Sequence, residues 1–199
     1  MSKSPILCLA SSSPRRQRIL AALGLEFLVQ FTEIDETRLH GESAEEMVSR
    51  LAQMKARAVE PGMAQFVLGA DTAVVLGDDV LGKPRDRNDA MAMLQRLSGR
   101  THQVLTAVAL RGPDSVQTAL SCTDVRFREI GRDEALAYWQ SGEPRDKAGA
   151  YGIQGIGGTF VAHIAGSYSG VVGLPVFETA RLLHGAGIEV LKKQETDER

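Results

Sequence analysis

The chain is short of the residues that mark most specialised protein classes. Only two of its 199 residues are cysteine, Cys8 and Cys122, too few for a disulfide framework or a four-cysteine zinc site. Both fall inside strand-like runs and read as small core residues of a reducing compartment. The four histidines, His40, His102, His163 and His184, show no ligand spacing. Aromatic residues make up 5% of the chain and the net charge is -2. That balance does not suit a protein built to neutralise a nucleic-acid backbone or to stack bases along a strand. No apolar run approaches the roughly 20 residues a membrane helix needs. The first one, Ile6 to Leu9, is too short for a signal peptide, so a cytoplasmic location without membrane contact is expected. Internal repeats and low-complexity tracts are missing, and the serine–arginine run at 10–16, without glycines or a P-loop lysine at the right spacing, is neither a Walker A phosphate loop nor a dinucleotide fingerprint.

What remains is an ordinary globular pattern, 43% hydrophobic and 24% charged, long enough to bury a core. Ile6 to Leu9 reads as a buried strand. A helix follows from Pro14 through Ile19, Leu20 and Leu23, with Ser13 as N-cap and Gly24 as stop. Glu26 to Phe31 reads as a second strand. Ser43 and Glu46 form a capping box for a helix reaching Val59. Phe66 to Leu76 is a strand, Gly82-Lys83-Pro84 a loop, and Asn88 to Leu97 a helix. Thr101 to Arg111 and Val116 to Ile130 pair as an antiparallel hairpin. A helix over Asp133 to Gln140 turns Ala135, Leu136 and Trp139 to the core. Beyond a glycine-rich stretch, Gly149 to Gly158, come a strand through Phe160, Val161 and Ile164 and a loop from Gly166 to Gly173. A final helix starts at Pro175, a last strand covers Ile188 to Leu191, and a charged tail occupies about 192–199. The fold expected is α/β with a mixed, twisted sheet flanked by helices, as one domain over 1–199.

Several residues stand out chemically. Three serines lead into the first helix, and Arg15 and Arg16 occupy its first turn. Cations are mildly unfavourable at that positive dipole end, so they point to an anionic ligand such as phosphate, although capping serines with solvated arginines fit the local pattern equally. Asp71 interrupts an apolar strand, where an unpaired charge costs several kcal/mol by order of magnitude. It is the best candidate for a catalytic carboxylate, with Gly69 and Ala70 leaving room for a ligand. Glu36 lies in an acidic loop, Lys55 on a helix surface, and Lys83 in a rigid glycine–proline loop. Together the two carboxylates and the cations suit metal-assisted phosphoryl chemistry. Gln154, in the glycine-rich stretch, offers a donor and an acceptor to a base edge, or is simply an exposed amide.

Seven motifs in order, spanning Leu9 to about Val190, resemble the Maf family of nucleoside triphosphate pyrophosphatases. They are Ala10-Ser11-x-Ser13-Pro14-Arg15-Arg16, Asp35-Glu36-Thr37, Lys55-Ala56, Gly69-Ala70-Asp71-Thr72, Gly82-Lys83-Pro84, Asp146-Lys147-Ala148-Gly149-x-Tyr151-x-Ile153-Gln154-Gly155 and Val172-Gly173-Leu174-Pro175. The resemblance implies two lobes around a central cleft, a fold like that of the inosine triphosphatases, and hydrolysis of a nucleoside triphosphate to monophosphate and pyrophosphate. It implies Asp71 as proton acceptor, and Ser11, Ser13, Arg15, Arg16, Glu36, Lys55, Thr72, Lys83 and Gln154 as substrate-binding residues. Arg15, Thr72 and Gln154 match the branch acting on dTTP and UTP. A divalent cation, Mg²⁺ or Mn²⁺, is expected at Glu36 and Asp71, and a homodimer is implied. A broader pyrophosphatase for modified pyrimidine nucleotides and a non-catalytic nucleotide-binding regulator are the alternatives.

Overall fold

The computed structural model describes residues 6–190. In chain order its main elements are β1 (Leu7–Ala10), α1 (Pro14–Ala22), β2 (Leu28–Val29), α2 (Ala44–Ala58), β3 (Phe66–Leu76), β4 (Asp79–Leu81), α3 (Arg87–Leu97), β5 (Thr101–Arg111), β6 (Val116–Phe127), α4 (Arg132–Gln140), β7 (Val161–Ala165), α5 (Tyr168–Val172) and α6 (Val176–Gly185). Three short 3-10 turns, Glu143–Asp146, Ala148–Ala150 and Ile156–Phe160, lie between α4 and β7. The strands form one mixed sheet in the order β2-β1-β3-β5-β6-β7, with β4 also on β3. β1 runs parallel to β2 and β3, and the remaining pairs are antiparallel. No described helix is long and apolar enough to cross a membrane.

Alternation along β3 divides the core. Val67, Ala73 and Val75 face α2 and pack with Val48, Leu51, Ala52 and Ala56. Leu68 and Ala70 face the other way, against Leu20 of α1 and Leu182 and Leu183 of α6. Val74, further along that second face, joins a separate cluster with Leu94, Leu97, Phe127 and Tyr138. The long strands therefore pass from a region layered between α1, α2 and α6 into one covered by α3, α4 and the 3-10 turns.

The change of partner on β3 makes an opening. β1 pairs with its outer edge from Phe66 to Gly69, and β4 takes up the same edge only at Val74. Residues 70–73 have β5 on one side and no strand on the other. β1 ends beside Gly69 and β4 ends beside Val74, so the C-terminal ends of both strands meet the gap, and open α/β sheets hold ligands outside the carboxyl ends of strands.

The Cys122 assignment is corrected. Inward positions of β6 are Ala119, Ser121, Thr123, Val125 and Phe127, so Cys122 projects outward and is exposed, while Cys8 is buried. In α4 the buried residues are Ala135 and Tyr138, and Trp139 lies half-buried beneath Arg145. The strand expected over Glu26–Phe31 is only two residues long, and Gly166–Gly173 contains the helix α5. Residues 188–190 form no strand, and Leu191 with the charged tail lies outside the described residues.

Candidate active site

Asp71 sits in the gap between β1 and β4, on the α2 face of β3. Its approach to the helix depends on Gly69. A Cβ at that position would lie 2.7 Å from the Ala56 backbone nitrogen and would also run into the Ala52 carbonyl. Glycine lets α2 press onto the strand, and Lys55 then reaches the carboxylate. Its Nζ donates to Asp71 Oδ1 at 2.6 Å and pairs with Glu36 Oε1 at 2.7 Å. Among the described residues Asp71 Oδ2 has no hydrogen bond, and the residue is only 8% exposed. Burial dominates and raises the Asp71 carboxyl above its ordinary range, outweighing the pull of Lys55 and Arg16, with Glu36 adding to the rise. Burial also pushes on Glu36, but there Lys55, helped by Lys83 and Arg16, prevails and lowers the carboxyl.

Thr72 projects to the opposite face, as the strand period requires. Its Oγ1 lies 3.1 Å from an Arg16 NH2 and 3.0 Å from Thr106 Oγ1, which is 2.8 Å from the Gly170 carbonyl. Proton counting orients this chain. The carbonyl only accepts, so Thr106 donates to it, Thr72 donates to Thr106, and Arg16 donates to Thr72. Arg16 Nε also donates to the Gly173 carbonyl at 2.8 Å. Arg16 thus ties α1 to β3 and to the turn after α5. Ser13 caps α1 through the Arg16 backbone N–H, and Ser11 accepts from Ser13 N–H at 3.2 Å. Thr106 was not singled out in the sequence, where it is one threonine in an apolar run.

All ten candidate residues line one cleft of about 1370 Å³. That exceeds the roughly 300–1,000 Å³ of most small-molecule sites and accommodates an extended nucleotide with water. Ser11, Ser13, Arg15 and Arg16 stand on the β1–α1 side. Lys83 enters from the loop after β4, and Gln154 is exposed on the turn between Tyr151 and Ile156. Arg15 pairs with Asp146 at 3.1 Å, which joins the first loop to the Asp146–Gly155 motif. The Gly149 N–H donates to the Gly82 carbonyl at 3.0 Å, so the Lys83 and Gln154 loops are also fastened together. No group of three or more His, Cys, Asp or Glu side chains is arranged to hold a metal among the described residues. The donors present are two carboxylates joined by one lysine. That set fits a hard cation that keeps water and phosphate oxygens, as Mg²⁺ does, rather than a closed protein cage.

Known proteins resemble this chain over most of its length. A family model described as Maf-like protein matches residues 6–186. The dTTP/UTP pyrophosphatase of Hahella chejuensis is 51% identical over 188 residues, covering 92% of this chain and 94% of that protein. Its namesake from Pseudoalteromonas atlantica is 52% identical over 183 residues, covering 89% and 95%. Among solved structures, a HAM1 protein from Coxiella burnetii has a TM-score of 0.47 at 17% identity, covering 75% of this chain and 88% of that one.

Proposed function

The chain belongs to the Maf family, and from that footing we propose that it is a dTTP/UTP pyrophosphatase. The reaction is hydrolysis of the α–β phosphoanhydride bond, releasing nucleoside monophosphate and pyrophosphate. The observation that carries this reading is the buried Asp71 carboxylate, paired with Lys55 through one oxygen at the open edge of β3, inside a cleft lined with cations.

In the reaction Asp71 takes a proton from a water whose oxygen attacks the α-phosphorus. The α–β bridge bond breaks, its electron pair leaves on the bridging oxygen, and pyrophosphate departs. Lys55 holds Asp71 in place. Arg15, Lys83 and the N-terminus of α1 face the charge that develops on the departing group. Arg16, whose Nε and one NH2 are already committed within the protein, acts mainly by fixing that N-terminus. Gln154, and Thr72 through Arg16, bear on pyrimidine choice. Glu36 and Asp71 are the residues that would hold Mg²⁺ or Mn²⁺, and such an ion when bound supplies charge neutralisation on the phosphate oxygens.

Asp71→Asn keeps the shape and removes the base, and general-base loss typically costs about 10²–10⁴-fold in turnover. Wild-type release of pyrophosphate from dTTP by this variant overturns the assignment. Because the carboxyl is raised by burial, the acid limb of wild-type kcat/KM is expected above the ordinary aspartate range near pH ~3.9. A panel of dTTP, UTP, CTP and modified pyrimidine triphosphates, with and without divalent ions, defines substrate breadth and metal dependence. Sedimentation tests the homodimer that the family resemblance implies.

A further inference from the structure

The turn that carries Gln154 is fastened from beneath by side chains outside the reacting group. Glu143 Oε2 accepts from the Ile156 N–H at 2.8 Å, and Oε1 accepts from the Gly157 N–H at 3.1 Å and the Tyr138 hydroxyl at 2.8 Å. The Tyr138 oxygen in turn accepts from the Gly152 N–H at 3.0 Å. Both ends of the turn are thus held, with Gln154 exposed at its crown. The glycines make the grip possible. A Cβ at Gly155 would enter the Glu143 carboxylate, and one at Gly157 would meet the Tyr138 oxygen. Burial opposes ionisation of Glu143, but the Gly157 and Ile156 N–H groups and the Tyr138 hydroxyl prevail and lower its carboxyl. The same segment reaches the first loop. Lys147 Nζ donates to the Glu143 carbonyl at 2.5 Å and to Asp146 Oδ1 at 2.7 Å, while Asp146 Oδ2 holds Arg15.

We propose that Glu143 is a positioning residue for base selection: its carboxylate fixes the turn that presents the Gln154 amide to the pyrimidine edge. This rests on the reading of Gln154 as the base-facing group. Uracil and cytosine differ by exchange of donor and acceptor on that edge, and a free amide rotates to suit either. Discrimination therefore requires that the reach and approach of the amide be fixed, which is the task of a rigid turn.

Glu143→Gln tests this, since its NH2 sets a donor against backbone donors. kcat/KM for UTP, dTTP and CTP is measured for the wild type, Glu143→Gln, Gln154→Ala and the double variant. Glu143→Gln is expected to reduce UTP-over-CTP selectivity about tenfold, mainly through KM, with less than about twofold further effect when Gln154 is already alanine. Faster amide exchange at Ile156 and Gly157 accompanies it. Equal losses for UTP and CTP that multiply with those of Gln154→Ala overturn the proposal and leave the role of Gln154 standing. Unchanged selectivity in Gln154→Ala overturns both. Tyr138→Phe removes the hydrogen bond from the Gly152 N–H and the one given to Glu143 Oε1, and decides the matter if Glu143→Gln does not fold. A smaller loss of selectivity supports the proposal, and wild-type selectivity overturns it.

Discussion

His102 shows how a single residue can set pH behaviour away from the chemistry. It is 2% exposed on β5, with Nε2 2.9 Å from the Tyr151 hydroxyl and Nδ1 buried without a partner among the described residues. Phe127 and Tyr151 meet its ring edge-on. Burial disfavours the charged ring and lowers its pKa from 6.5 to about 4. The unfolded chain then binds a proton through that interval while the folded chain does not, so stability is full above about pH 6.5 and falls as pH drops toward 4. The loss attributable to this residue is about 3 kcal/mol by pH 4. Urea unfolding of wild type and His102→Asn across that range should show a flatter pH slope in the variant, and parallel slopes would refute the assignment. Asp71 could be picked out in the sequence because it breaks an apolar strand, whereas His102, Thr106 and Glu143 could not. Their roles depend on contacts with Tyr151, Thr72 and Ile156, at separations of 49, 34 and 13 residues.

Elements whose signals are local were readable at the same level. The Ser43–Glu46 box caps α2, and Ser13 with Pro14 opens α1. β4, with three residues, and α5, with five, are too short to carry a period of their own and form only where β3 and β6 receive them. β6 alternates as expected, but which parity faces inward depends on what α2 and α6 cover, and Cys122 fell on the outer side. Gly69 belongs to this scale, because its absent side chain sets the distance between α2 and β3. Gly69→Ala drives a methyl into helix backbone that has no rotamer to yield, so α2 must shift. Overpacking of this kind costs about 1–3 kcal/mol. Lys55 moves with the helix, so kcat should fall more than KM rises. A variant with wild-type melting temperature and turnover would show that the close approach is not needed.

At the scale of the molecule, the cleft joins two regions with separate cores. Ser11 to Arg16 belong to the part packed around Leu20, Leu68 and Leu183, whereas the Gln154 turn rests on the cluster of Phe127, Tyr138 and Phe160. β3, β5 and β6 pass through both, and Asp71 lies on β3 where β1 gives way to β4. A triphosphate gripped at the first loop with its base at the second cross-links the two regions across that opening. An uncleavable UTP analogue bridging α- and β-phosphorus through carbon should therefore stabilise the whole chain. At a hundredfold excess over its Kd the gain is about 2.7 kcal/mol, or roughly 5–10 °C in melting temperature for a chain of this size. Amide exchange should slow at Arg15 and Arg16 and, in the same titration, at Gly152 to Gly157. On the proposed reading the attraction runs through Arg15 and Lys83 on a chain of net charge -2, so the stabilisation should weaken as salt screens these local cations. Protection confined to the first loop would mean that the nucleotide binds by its phosphates alone, with the base free in the cleft and no role for Gln154 in selecting it.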